Sequence, residues 1–193
     1  MIKLSLIEEK EHPEFSELIA RIKAGRGGRY TYPFTLLLHS PDIAAAWLDQ
    51  VTAVRWKTNL DGPLREMVII RIGILNRVSY VSKAHGTVYA PKENMSAKQI
   101  SAIEDWKNSD LFSASQRAAL AYTDAMTLEV QVPEAIQDEL QRHLSERQII
   151  ELTVLIGTYN MHTRVFQALE IERRSAISKG DPPTAARSSA PTV

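Results

Sequence analysis

Apolar positions recur along this chain at three- and four-residue intervals almost throughout, and no run of strict alternation is long enough to predict a strand. The pattern predicts an all-α fold. A first helix is expected from His12 to about Ala24, with Pro13 in its first turn. "GRGGRYTYP" then reads as a loop carrying two arginines and two tyrosines. In "HSPDIAAAWLDQVTAVRW", Ser40 as cap, Pro41 at the first position and Asp42 in the first turn spell a helix start. "DGPLREMVIIRIGILNRV" repeats that grammar, with Pro63 opening a helix apolar nearly all round, which must be buried. A short helix is expected from about Ser79 to Tyr89, ended by Pro91. Ser96, Ser113 and Pro133 mark three further starts. Ser145 with Gln148 fits a capping box opening the last long helix, "ERQIIELTVLIGTYNMHTRVFQALEIERR".

From about Lys179 the chain turns rich in Pro, Ser and Ala and lacks large apolar residues, so 179–193 is expected to be a disordered tail behind a single helical domain, 1–178. Two segments look alike, "REMVIIRIGILN" and "IELTVLIGTYN". Each sets a glutamate at the head, then a glycine, then an asparagine. Either a helical duplication or a shared taste for Ile and Leu explains them.

Charge and composition narrow the function. Lys+Arg and Asp+Glu both number 23, so the formal charge is zero. Neither a nucleic acid nor an anionic membrane would be drawn by net attraction. Loss of self-repulsion suits association with copies of the same chain. With no cysteine, the chain has no disulfide, thiolate metal site or thiol chemistry of its own. Five scattered histidines without a His-x-x-x-His or a carboxylate cluster argue against a metal site. The N-terminal apolar run is too short for a signal peptide and no segment reaches transmembrane length, so a cytoplasmic protein is expected.

Candidate chemistry sits in "LREMVIIRIGILNRVSYVSKAH", residues 64–85. On the first helix, Glu66, Ile70, Gly73 and Arg77 form one stripe. On the next, Val78, Val81 or Ser82, His85 and Tyr89 form another. A hairpin turning near Asn76–Ser79 would place Glu66 and His85 at matching heights, with Tyr80 close by. One carboxylate and one imidazole in an aliphatic pocket make an acid–base pair, the glutamate's pKa raised by desolvation. The same pair would also serve as a satisfied polar contact between buried helices.

These residues resemble the carboxymuconolactone decarboxylase and AhpD-like alkylhydroperoxidase superfamily. Its redox branch carries a glutamate, cysteines twelve and fifteen residues on, and a histidine at nineteen. Here those offsets fall on Glu66, Val78, Val81 and His85, so the acid and imidazole match while both thiols are valine. The decarboxylase-like branch often shows Tyr-Glu-Trp and then His. This chain keeps Tyr80 and His85 but has Val81 and Ser82 between them. "LLLHSPDIAAAWL" and "SERQIIELTVLIGTYNMHTRV" extend the likeness to roughly residues 25–172. The resemblance implies an AhpD-like helical bundle, assembled as trimers or hexamers with sites near subunit contacts, and no metal or organic cofactor. It also implies roles for Tyr159, Asn160 and Arg164, matching a family Tyr-Asn pair with a following Arg. A thiol peroxidase mechanism requires a thiolate and a resolving thiol, which valine cannot replace.

Around this core, His162 either joins the site from the last helix or faces solvent or a partner. Arg26 and Arg29 either clamp a substrate carboxylate or belong to a solvated loop. The expectation is a cofactor-free lyase-like enzyme acting on a small organic acid or lactone. His85 would carry the proton, Glu66 would orient it and Tyr80 would bond an oxyanion. Tyr159, Asn160, His162, Arg164 and Arg29 would bind substrate. The competing expectation is a non-catalytic helical oligomer that binds a small molecule or a partner. Convergence of Glu66, His85 and a polar residue of the last helix on an open pocket separates the two.

Overall fold

A computed structural model describes residues 4–178, with side chains as far as Ser175. The expected tail at 179–193 lies outside the described residues. Among them there is no strand. A 3-10 turn at Pro13–Phe15 leads into α1 (Ser16–Ala24), then α2 (Tyr32–Leu37), α3 (Pro41–Trp56) and α4 (Gly62–Leu75). Next come α5 (Ser79–Ala84), a π-helical turn at His85–Tyr89 and a 3-10 turn at Ala90–Glu93. The rest is α6 (Ala97–Ala102), α7 (Ala114–Leu128), α8 (Glu134–Gln141), α9 (Glu146–Ala168) and α10 (Ile171–Ser178).

Helix α4 is the axis of the bundle. Every residue from Leu64 to Ile70 is buried, with Ile72 and Gly73, and α5, α7 and α9 pack around it. Burial of side chains as enclosed as Ile69 and Ile72 is worth roughly 1.5–3 kcal/mol each. Its one mid-helix cation is tied down. Arg71 grips Asp124 of α7 through Nε (2.6 Å) and Nη2 (2.8 Å), and the Trp106 indole N–H donates to the same carboxylate at 3.1 Å.

The hairpin from α4 into α5 brings Glu66 to His85. Val78 N–H donates to Gly73 O (2.8 Å) and Arg77 N–H to Ile74 O (3.0 Å), the paired bonds of a Schellman end. Arg77 takes the left-handed conformation there, at φ 56°. Gly73 lets α5 approach, since a Cβ on it would lie 2.9 Å from the Ser82 backbone nitrogen.

The capping boxes at Ser96, Ser113 and Ser145 all form. Three local expectations change. Ser40 precedes α3 as expected but its side chain makes no capping bond, so Pro41 and Asp42 are what favour that start. The loop after α1 ends sooner, because Tyr32 and Pro33 already belong to α2. The last long helix breaks at Leu169–Glu170, where Glu170 adopts φ 52°, so that α10 turns back and buries Ile171 against the bundle. No helix among the described residues is long and apolar enough to cross a membrane.

Candidate active site

Glu66 lies one turn into α4 and is fully buried. His85 begins the π-helical turn after α5 and is 6% exposed. π-Turns are uncommon and recur at functional sites, because the extra residue re-aims side chains. The imidazole Nδ1 stands 2.6 Å from Glu66 Oε2, the contact that the hairpin spacing predicts. The other carboxylate oxygen, Oε1, accepts from Arg65 Nε at 3.3 Å, and Arg65 Nη2 donates to Glu93 Oε1 at 2.7 Å. Gly62 makes room for that acid, since a Cβ there would meet Glu93 Oε2 at 1.7 Å.

Burial alone pushes the Glu66 carboxyl up, as the sequence argument holds. The bond from His85 and the charges of Arg55 and Arg65 outweigh it, and the net shift is downward. Burial also disfavours the His85 cation, with Arg55 and Arg65 adding to it, and this exceeds the pull of Glu66, so the imidazole's pKa is lowered. The pair therefore rests as a carboxylate and a neutral imidazole. Nδ1–H donates to Glu66 and leaves the lone pair on Nε2. Tyr159 Oη approaches that nitrogen at 3.4 Å, and burial lifts its phenol to about 12, so it stays protonated.

His85 borders a cavity of about 160 Å3. Helix α9 contributes Tyr159, His162 and Phe166 to its wall; α3 contributes Trp47, Val51 and Arg55; the loop after α1 contributes Arg26 and Arg29. His162 joins the site, one of the two alternatives that spacing left open. It is buried, packs tilted against Trp47 at 4.5 Å between centroids, and accepts from the indole Nε1–H at 3.2 Å. Burial drives its pKa down to about 3. Tyr80 lines the cavity edge-on to Phe166. Arg29 reaches the wall from its exposed loop.

Asn160 and Arg164 do not line the cavity. At about 100° per residue, Tyr159, His162 and Phe166 share one face of α9 while Asn160 and Arg164 fall off it. Asn160 instead accepts from Asn76 Nδ2 (2.9 Å) and Arg164 Nη1 (2.6 Å) and donates to Thr127, tying α9 to α4 and α7. The two asparagines of the look-alike segments thus meet each other.

Sequence reasoning missed Arg55, which is 3% exposed. The signal was present: Trp47, Val51 and Arg55 follow at four-residue steps, so a cation sits on the buried stripe of α3. Among the described residues no group of His, Asp and Glu is arranged to hold a metal ion.

Comparison with known proteins agrees with this architecture. Residues 41–125 match the carboxymuconolactone decarboxylase family. The Escherichia coli K12 protein YnjA is 30% identical over 140 residues, 72% of each chain. YdfG of Bacillus subtilis strain 168 is 24% identical over 115 residues, 58% of this chain and 78% of that one. Among solved structures, the debrominase Bmp8 in complex with 2,3,4-tribromopyrrole superposes with a TM-score of 0.76 at 18% identity, covering 93% of this chain and 98% of that one. An AhpD-core, peroxidase-related protein from Ralstonia eutropha JMP134 does so at 0.72 and 18% identity, covering 86% and 88%. The chain belongs to the carboxymuconolactone decarboxylase family and has the AhpD-like fold, without any cysteine.

Proposed function

We propose that this protein is a cofactor-free enzyme doing acid–base chemistry on a small organic acid or lactone, by decarboxylation or a related lyase, hydrolase or isomerase step. The observation that carries this reading is the His85–Glu66 bond of 2.6 Å at the wall of a cavity. A buried structural pair needs no opening beside it; a proton carrier does. Glu66 fixes the imidazole tautomer and stabilises the cation that forms when Nε2 takes a proton. Nε2 then returns that proton to carbon. The electrons left by a departing group rest meanwhile on a conjugated oxygen, which the protonated phenols of Tyr159 and Tyr80 border. The same fold in Bmp8 is seen with a small heteroaromatic, which supports a small-molecule site here. Thiol peroxidase chemistry has no nucleophile in this chain.

The test is metabolite screening with the purified protein, followed by His85→Ala and Glu66→Gln. Each substitution should cut turnover by about 10²–10⁴-fold, the usual worth of a positioned acid–base group. The double variant should lose little more than the worse single one, because members of one unit are not additive. Full turnover in both single variants would refute the assignment.

A further inference from the structure

Among the described residues, two side chains on the cavity wall hold hydrogen-bond donors with nothing to receive them. Arg55 is the first. Its Nε and Nη2 are buried without a hydrogen-bond partner, and among the described residues no carboxylate lies within 4.0 Å of its guanidinium. The flat group lies instead over the rings of Tyr89 (4.2 Å) and Trp56 (4.6 Å). Glu66 feels its charge but gives its own oxygens to His85 and Arg65.

His162 reaches the same condition by another route. An indole N–H can only donate, so the Nε2 that accepts from Trp47 must carry the lone pair. The ring's proton therefore sits on Nδ1. That atom is buried and has no partner among the described residues. Unpaired buried donors are costly and rare, and each one calls for an explanation. Two of them on the wall of one cavity share an explanation if a ligand brings the acceptors.

We propose that Arg55 and the His162 Nδ1–H are the ligand-binding donors of this cavity, and that the ligand is a small, flat carboxylate with a conjugated or aromatic body. Arg55 takes the carboxylate, whose two oxygens match the guanidinium fork. His162 donates to a second oxygen acceptor. The body lies among the rings of Phe34, Trp47, Tyr80 and Phe166, which give the cavity flat apolar walls. A volume of about 160 Å3 is below the range of roughly 300–1,000 Å3 of drug-sized sites, which limits the ligand to about one ring. The loop arginines are weaker anchors. Arg26 spends Nη1 on Gly25 O at 2.7 Å, and Arg29 is exposed. This inference uses the cavity of the proposed enzyme but not its chemistry, so it is tested by binding alone.

Calorimetric titration of the full chain with benzoate, uncharged benzamide and inorganic phosphate is the measurement. Benzoate should bind and the other two should not. Arg55→Met should weaken benzoate about 10- to 100-fold, the worth of a charged hydrogen bond. Its ligand-free melting point should hold or rise, since a buried charge lacking a partner is often improved by an apolar replacement. In imidazole-nitrogen NMR, His162 should show the Nδ1–H tautomer and shift on adding benzoate. Four results would overturn the proposal: no benzoate binding at about 10 mM, equal binding of benzamide, undiminished binding by Arg55→Met, or a fall of more than about 5 °C in that variant's melt. Because no turnover is read, failure of the acid–base assignment leaves this result standing, and the reverse holds too.

Discussion

His162 and His85 are both kept neutral by burial, and that leaves a mark on stability. In an unfolded chain each imidazole gains a proton as pH falls through about 6.5. The folded protein resists, with His162 held down to about 3 chiefly by burial, and by the positive charges of Arg26 and Arg55. The unfolded state thus binds more protons between those limits, and stability falls with falling pH. Glu66 acts in the same direction at lower pH, since its depressed pKa gives stability that is present above about 4.3 and lost on further acidification. The melting point should be level above pH 7 and drop below 6.5. His162→Gln retains an acceptor for Trp47 but does not titrate, and should flatten part of that slope. An identical pH profile in this variant would show that His162 is not the group responsible. The pairing of Glu66 with His85 was legible because both lie on stripes of helical spacing on either side of one turn. The sign of the Glu66 shift was not, because the arginines around it come from α3 and from its own neighbour, and only tertiary packing brings their charges to bear. Asn160 and Arg164 show the opposite failure, where a sequence pattern matched and the helical face did not.

At the scale of the element, the α4–α5 hairpin sets the geometry of the site. Its turn contains two positions whose substitution should have opposite effects. Arg77 holds a left-handed conformation that costs a side-chain-bearing residue about 1–2 kcal/mol. Arg77→Gly should therefore stabilise by about 0.5–1 kcal/mol, part of the relief being offset by glycine's greater freedom when unfolded. Gly73→Ala should destabilise by about 1–3 kcal/mol, because the added methyl would press on the Ser82 backbone and the helices must part. Separation there also loosens the 2.6 Å contact of Glu66 with His85, so Gly73→Ala should lose turnover as well as stability. Denaturant melts of both variants check the signs, and a shift of the same sign in both would contradict this account of the turn. Helix starts were the most legible elements, since Ser with Gln three residues on is a local device that needs no tertiary help. The break before α10 was not legible. Nothing in "QALEIERR" stops a helix, and the turn exists because Ile171 gains more by burial against the bundle than by continuing α9.

At the scale of the whole molecule, an apolar groove among the described residues is left open to solvent. Ile43, Ala46, Gln50, Val154, Gly157, Thr158 and Met161 line an open groove between α3 and α9, and Ile43 (57%), Val154 (43%) and Met161 (41%) are large side chains in contact with solvent. Trp47 belongs to this groove and to the cavity beside His85, so whatever covers the groove lies one side chain from the site. We propose a second copy of the chain as its occupant. A formal charge of zero removes the repulsion that keeps like chains apart, and the groove presents no charged side chain to select a different partner. Light scattering should then give a mass that is a multiple of 21.7 kDa, the trimer or hexamer being what the family resemblance implies. Met161→Glu would set a carboxylate in the contact without disturbing the core, because Met161 is already exposed. Its mass should fall toward that of one chain while its helical signal is kept. A wild-type protein that runs at 21.7 kDa at micromolar concentration, or a Met161→Glu variant that assembles as well as the wild type, would place the subunit contact elsewhere or remove it. If the contact is where the groove puts it, the same variant should also weaken ligand binding, since Trp47 would lose the packing that holds it against His162.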